Sequence, residues 1–393
     1  MLHRSATDFF LRRLLVVLAC CVLFPTLSHA QAIIKINDNA NIRFGALLQG
    51  WADETQDATT RGYAQNLFLR RMRILIGGQV SPNLSFFFET DNPNLGRSTV
   101  TPRTGSGFIT QDAFMEWKPT GSNAFMLDAG LMLPAFCRNC VESAATLLSL
   151  DYGSFSFLES AATQSIVGRD TGFQAKGYLA GGHFEYRAGL WSGFRGVGAR
   201  NPFRQTVRLS YNPWDTETGY TYPGVYLGNK RVLQFGGAID HQSDYKGYTV
   251  DAFLSYPPGG GRGNAGASTG ATGAPPTTAT AAPQPARNAV NAELTLLAYD
   301  GGKTFTALAQ QKAATFQAGY YLAPIHTMPW VRVEKQDFRA SSRNGQDNNR
   351  QQVGLTWYPN GHNFNIKGAY SRVDPRAGNT TNEFTVQLQF FYY

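Results

Sequence analysis

The chain has 393 residues, with 35 Lys and Arg against 27 Asp and Glu and only 16% charged side chains. With no clustered basic patch it is not a nucleic-acid binder, and with no apolar run of about 18 residues beyond residue 30 it is not a helical membrane protein. Any membrane role must fall to strands, and 41 Gly, 18 Tyr and 27 Phe against six Met suit an all-β chain.

Arg4, Arg12 and Arg13 precede the apolar run LLVVLACCVLF (Leu14 to Phe24), which is followed by Ser28, His29 and Ala30. This reads as a cleaved signal peptide over 1–30. The rivals are an anchor helix, for which the run is too short, and lipid attachment at Cys20. Cleavage after Ala30 leaves a domain over 31–393 with 32 basic and 26 acidic side chains and two cysteines, Cys137 and Cys140. In an oxidising compartment these two can pair.

From there the chain divides into segments of alternating polarity. They lie near 41–51, 65–80, 83–91, 107–118, 123–133, 166–178, 182–193, 203–213, 230–241, 246–256, 289–299, 314–323, 327–338, 349–359, 362–373 and 382–393. That is sixteen strands, most of them long enough for a tilted membrane crossing of about 9–11 residues. The connections at 81–83, 119–122, 179–182 and 359–361 are tight, whereas 92–106, 134–165 and 338–348 are long, as in barrels with short periplasmic turns and long outer loops. Trp51, Trp117, Tyr211, Trp357 and Tyr358 sit where aromatic girdles belong. The fold class is an all-β, transmembrane antiparallel barrel of about sixteen strands.

The stretch NLFLRRMRILIGGQVSPNLSFFFETD (66–91) tests this. A turn at Ser81, Pro82 and Asn83 sets Val80 opposite Leu84, Ile76 opposite Phe88 and Gly78 opposite Phe86 on an apolar face. On the other face Arg73 meets Asp91 and Leu75 meets Glu89. A slip of one residue would destroy the match. Arg70 shares the lipid-facing parity of Met72 and Ile74, so it is expected at the outer rim, snorkelling. By the same parity Glu185, Arg187, Arg204, Thr206, Arg208, Arg332, Glu334, Asn365 and Lys367 face inward, too many charges for a dry core.

Residues 257–288 are rich in Pro, Gly, Ala and Thr and do not form a core. They are either a disordered insertion on the turn side or a sign that the strand count is off by one. In the last segment Phe384, Val386, Leu388, Phe390 and Tyr392 alternate with Glu383, Thr385, Gln387 and Gln389. A terminal strand of this kind resembles the signal read by the barrel-assembly machinery, with Tyr393 one position off the usual aromatic place.

FLRRMRILIGG followed by LSFFFETD, then DAGLMLPAF, FLES at the end of a long loop and GLTWYPN near the end resemble, in order, the phosphate-selective porin O and P family of outer-membrane channels. The resemblance implies a sixteen-stranded homotrimer whose long third loop folds inward as an arginine-lined constriction, here 134–165. Arg70, Arg71 and Arg73 match the family's paired-arginine strand. Two positions depart from the pattern: Leu47 stands where phosphate-selecting members carry an inward arginine, and Glu159-Ser160 replaces Glu-Arg.

Two readings of the inward charges stay open. Arg71, Arg73, Arg187, Arg208, Arg332 and Lys367 can line the pore and bind anions. Alternatively the arginines are lumen charges paired with Glu89, Asp91, Asp112, Glu116, Glu185 and Glu334 to hold register. Cys137 and Cys140 form a disulfide stiffening the loop, or remain inert thiols; two thiolates alone make a poor zinc site. No metal, cofactor or catalytic residue is expected, since there is no G-x-S-x-G and the only acid–histidine neighbours considered are Asp240 and His241. The expected function is a passive porin of the Gram-negative outer membrane for small hydrophilic solutes, mildly favouring anions, phosphate among them. A non-conducting structural or adhesive barrel and a barrel enzyme are the alternatives.

Overall fold

The computed structural model describes residues 32–99, 107–165, 167–258, 287–339 and 346–393. The expected leader at 1–30 and most of the segment 257–288 lie outside the described residues.

The strands in chain order are β1 (Ala32–Asn37), β2 (Ala40–Gln56), β3 (Tyr63–Ser81), β4 (Leu84–Asp91), β5 (Ile109–Trp117), β6 (Met126–Met132), β7 (Asp170–Leu179), β8 (Phe184–Trp191), β9 (Arg204–Tyr211), β10 (Val232–Gln242), β11 (Tyr245–Tyr256), β12 (Ala289–Asp300), β13 (Gln311–Tyr321), β14 (Thr327–Phe338), β15 (Asn348–Asn360), β16 (Phe364–Pro375) and β17 (Thr381–Tyr392). From β2 to β17 each pairs antiparallel with its sequence neighbour. β17 returns to β2, with Glu383 opposite Thr55 and Tyr392 opposite Ala46. The result is a closed sixteen-stranded transmembrane barrel, which satisfies its backbone without an open edge. β1, which alternation did not reveal, pairs Ala32 with Phe44 on β2 and so continues the line of β17 along the same edge.

Alternation sets the two faces. Val331 and Val333 are 46% and 49% exposed, whereas Arg332 and Glu334 between and beside them are 2% and 3%. The apolar stripe meets lipid and the charged one meets the interior. Tyr256 on β11 pairs directly with Val290 on β12, so no strand stands between these two in the barrel wall.

Four local expectations change. In the β3–β4 hairpin Leu75 faces Glu89, Ile76 faces Phe88 and Gly78 faces Phe86, but a bulge at Val80 puts Ser81, not Val80, opposite Leu84. A second bulge, on β3, pairs Gln49 with Arg71 and Gly50 with Leu69, leaving Arg70 as the extra residue. A bulge resets which face a side chain takes, so Arg70 and Arg71 both turn inward and Arg70 does not snorkel at the rim. Of the expected girdle, Trp117 and Tyr211 face out at 50% and 41% exposure, but Tyr358 is buried inside. Trp51 sits in mid-strand and donates its indole N–H to Gln387 Oε1 at 2.8 Å. Finally, connections do not divide cleanly by side: 57–62 and 376–380 are short on the loop side, and 212–231 is long on the turn side.

Tyr393 turns into the barrel, with its ring 6.0 Å from that of Phe87 and beneath the Arg43 guanidinium at 5.4 Å. A Cβ on Gly45 would overlap this ring and one on Gly77 its hydroxyl, so both positions must stay bare.

Candidate functional site

The connection from β6 to β7 runs inside the barrel, with nearly every residue from Met132 to Leu150 buried. It contains a 3-10 turn (Asn139–Val141) and one short helix, α1 (Glu159–Thr163), and is otherwise irregular. A buried irregular backbone needs partners for its carbonyls, and side chains of the barrel wall supply them. Lys367 donates to Leu147 O at 2.6 Å and Ser149 O at 2.7 Å. Arg332 donates to Asp151 O at 2.5 Å and Tyr152 O at 3.1 Å. Gln49 reaches Ala144 O and Gln389 reaches Ala145 O, at 3.1 and 2.8 Å. Glu334 accepts from Ser154 N and Oγ at 2.7 and 2.8 Å. Cys137 and Cys140 are joined, closing the tip of the loop.

Asp151 is the polar hub of this loop. Arg70 donates Nε to its Oδ2 at 2.9 Å and Arg71 donates Nη2 to its Oδ1 at 2.5 Å. Burial alone would raise this carboxyl, but the two guanidiniums hold it well below the usual range. The β3 bulge therefore serves a definite contact: adjacent arginines on a regular strand would point to opposite faces.

A second segment, 212–231 between β9 and β10, enters from the opposite end. Tyr222 N donates to Val141 O and Ser143 N to Tyr222 O, both at 2.9 Å, so the two insertions share a strand-like contact inside the barrel. Arg138 pins them together. Its guanidinium donates to both carboxylate oxygens of Glu217, to Gln234 Oε1 at 3.0 Å and to Pro223 O at 3.0 Å, and lies 3.9 Å from the centre of the Phe253 ring. Arg138 and Glu217 are both 0% exposed.

All thirteen charged residues expected inside, Arg204 among them, do face inward, and each is buried. They are covered by the insertions rather than standing along open water. Arg73 bridges Glu89 at 2.7 Å and Asp91 at 2.9 Å. Arg187 takes Glu185 at 2.6 Å and also Gly219 O and Tyr220 O. Arg208 holds Asp251 at 2.6 Å, Asp112 holds Arg169 at 2.9 Å, and Glu116 holds Lys176 at 2.7 Å. Leu47 is buried beside this network. Asp240 and His241, adjacent on β10, part company: Asp240 takes Arg204 at 2.6 Å, while His241 Nδ1 lies 3.0 Å from Tyr245 O. Sequence reading missed Asp151, Arg138, Glu217 and the whole 212–231 insertion. The available signal was its length, together with Tyr220, Tyr222 and Tyr226 in a connection on the side where turns are short.

Glu159 of α1 faces Arg204 at 3.8 Å. Burial pushes its carboxyl up to about 7 despite that cation. In the turn after β15, His362 Nε2–H donates to Val225 O of the second insertion at 2.9 Å, and burial pushes its imidazole down to about 4.

On the loop side of Asp151 the barrel opens into a cavity of about 660 Å³ that reaches Arg97, Arg350 and Glu383. Deeper, between Arg73, Glu89, Asp112, Tyr152 and Tyr393, the free space is only about 30 Å³, room for a water or two. Both insertions line this small space, through Glu142, Ser143 and Ala144 on one side and Tyr220 and Thr221 on the other.

No family model and no curated protein matches the sequence. Solved structures do. OmpF of Salmonella typhi, solved with daunomycin, is 12% identical over 91% of this chain and 100% of its own, with a TM-score of 0.56. An anion-selective porin from Comamonas acidovorans is 12% identical over 90% and 100%, at 0.54. The fold is that of the porins. OmpT of Vibrio cholerae, in its trimer form, is 10% identical over 90% and 100%, at 0.53. At such identities the porin likeness is one of architecture, and chemistry has to be argued from this chain's own residues.

Proposed function

We propose that this protein is a porin of the Gram-negative outer membrane, a passive channel for small hydrophilic solutes with a mild preference for anions. The observation that carries the reading is the charge imbalance at the inserted loop. Asp151 is one carboxylate between two arginines, Arg70 and Arg71, while Arg332 and Lys367 are held by carbonyl and amide oxygens. Three guanidiniums around one acid leave a positive centre in a low-dielectric wall, which raises the local concentration of anions. The apolar belt and closed barrel support membrane insertion, and the anion-selective porin of like fold agrees with the sign of the preference. Kinship with the phosphate-selective porin O and P family belongs to the same proposal, but Leu47 and the Glu159-Ser160 pair leave the phosphate cage incomplete. Export by the leader at 1–30, folding through the assembly machinery by way of β17, and a homotrimer like that of the Vibrio cholerae OmpT complete it.

The meeting of the two insertions favours one rival, a non-conducting structural barrel. Planar bilayers decide between them: stepwise current in potassium chloride supports the channel, and a silent but correctly folded protein overturns it.

A further inference from the structure

The loop-side cavity is a built site as well as an entrance. It is lined by Arg70, Arg97, Arg332 and Arg350 against only two acids, Asp151 and Glu383, and by Trp51, Tyr152 and Phe157. Arg97 and Arg350 are the most exposed cations of this lining, with side chains 35% and 26% exposed, and their acids hold them only in part: Arg350 Nη2 lies 2.9 Å from Glu383, and Arg97 Nη2 lies 3.6 Å from Asp53.

We propose that this cavity binds a small aromatic carboxylate, its charge taken by Arg97 and Arg350 and its ring by Trp51 and Phe157. An inorganic anion would satisfy the donors but leave the apolar wall wet. A neutral sugar would meet the rings but leave the charge excess unanswered. An organic acid with a flat apolar body answers both halves, because charge-assisted bonds fix its carboxylate while burial of the ring is favourable by area. The site rests on the channel reading for access from outside, yet binding is measurable without conduction.

The test is titration calorimetry of the detergent-solubilised, folded full-length barrel with benzoate, acetate and inorganic phosphate. Benzoate is expected to bind saturably, one per chain, and at least tenfold more tightly than acetate or phosphate. Arg350→Gln and, separately, Arg97→Gln are expected to weaken benzoate at least tenfold, with a barrel circular dichroism spectrum retained. No saturable benzoate heat, equal affinity for acetate, tighter phosphate binding, or indifference to both variants overturns the site. Bilayer current separates the two readings: binding without current removes the channel and leaves the site, and current without binding does the reverse.

Discussion

Removing the Arg138 guanidinium should loosen the contact between the two insertions inside the barrel. In Arg138→Met the Glu217 carboxylate stays buried with Tyr226 and Gln234 as its remaining partners, and Pro223 O loses its donor. Breaking a fully buried pair from one side costs about 3–5 kcal/mol, because the other charge is left uncompensated. The pair joins two insertions rather than two wall strands, so the cost falls on their contact and not on the barrel. At about 1.4 kcal/mol per decade, the separated population rises roughly 100- to 4,000-fold. The assays are single-channel conductance and protease cutting within 212–231 in lipid vesicles. The variant is expected to conduct more and to be cut faster. Arg138→Met with Glu217→Leu, which removes both charges, is expected to recover most of the closed contact. Wild-type conductance and cutting in the single variant would refute the reasoning.

Arg71→Glu with Arg73→Glu inverts two charges beside Asp151 and Glu89, and the ratio of anion to cation permeability should fall; an unchanged reversal potential in a salt gradient contradicts the positive-centre argument. Glu159 has a carboxyl raised to about 7, so the folded loop favours its neutral form. That stabilisation is present below about 4.5, the usual carboxylate value, and lost as pH rises through 7. Urea midpoints in vesicles should therefore lose this dependence in Glu159→Gln. His362 has the opposite sign: its imidazole is lowered to about 4, so stability is full above about 6.5 and falls as pH drops toward 4. In His362→Gln, which keeps a donor for Val225 O, the acid-side loss should shrink.

The wall of this protein was legible in its sequence for a physical reason. Lipid on one side and polar groups on the other impose a period of two on every strand, so Val331, Arg332, Val333 and Glu334 announce their faces without any tertiary knowledge. Register in the β3–β4 hairpin was legible for the same reason, apart from the bulged Val80. Period fails where the second bulge lets Arg70 share a face with Arg71, because the reason for that bulge, Asp151, lies about 80 positions further on. It fails again for 212–231, an irregular segment whose partners are Val141 and Arg138. Irregular backbone carries no period, and the contacts that order it are invisible until the barrel closes.

The distribution of paired and unpaired charge says where selectivity resides. Arg73, Arg187, Arg204 and Arg208 each sit against a carboxylate within 3 Å. A neutral pair has a field that fades quickly with distance, and at about 0.15 M salt what remains is screened within about 8 Å. These arginines hold strands and insertions together and contribute little to a passing ion. The excess lies elsewhere: at Arg70, Arg71 and Arg332 around Asp151, and at the mouth, where Arg97 lines the cavity 3.6 Å from its nearest acid. Substituting Arg208 and Asp251 together by Gln and Asn should therefore leave the permeability ratio close to wild type, whereas Arg97→Gln alone should lower it. A reversal-potential shift from the neutral double substitution as large as that from Arg97→Gln would place selectivity in the wall and not in the loop and mouth.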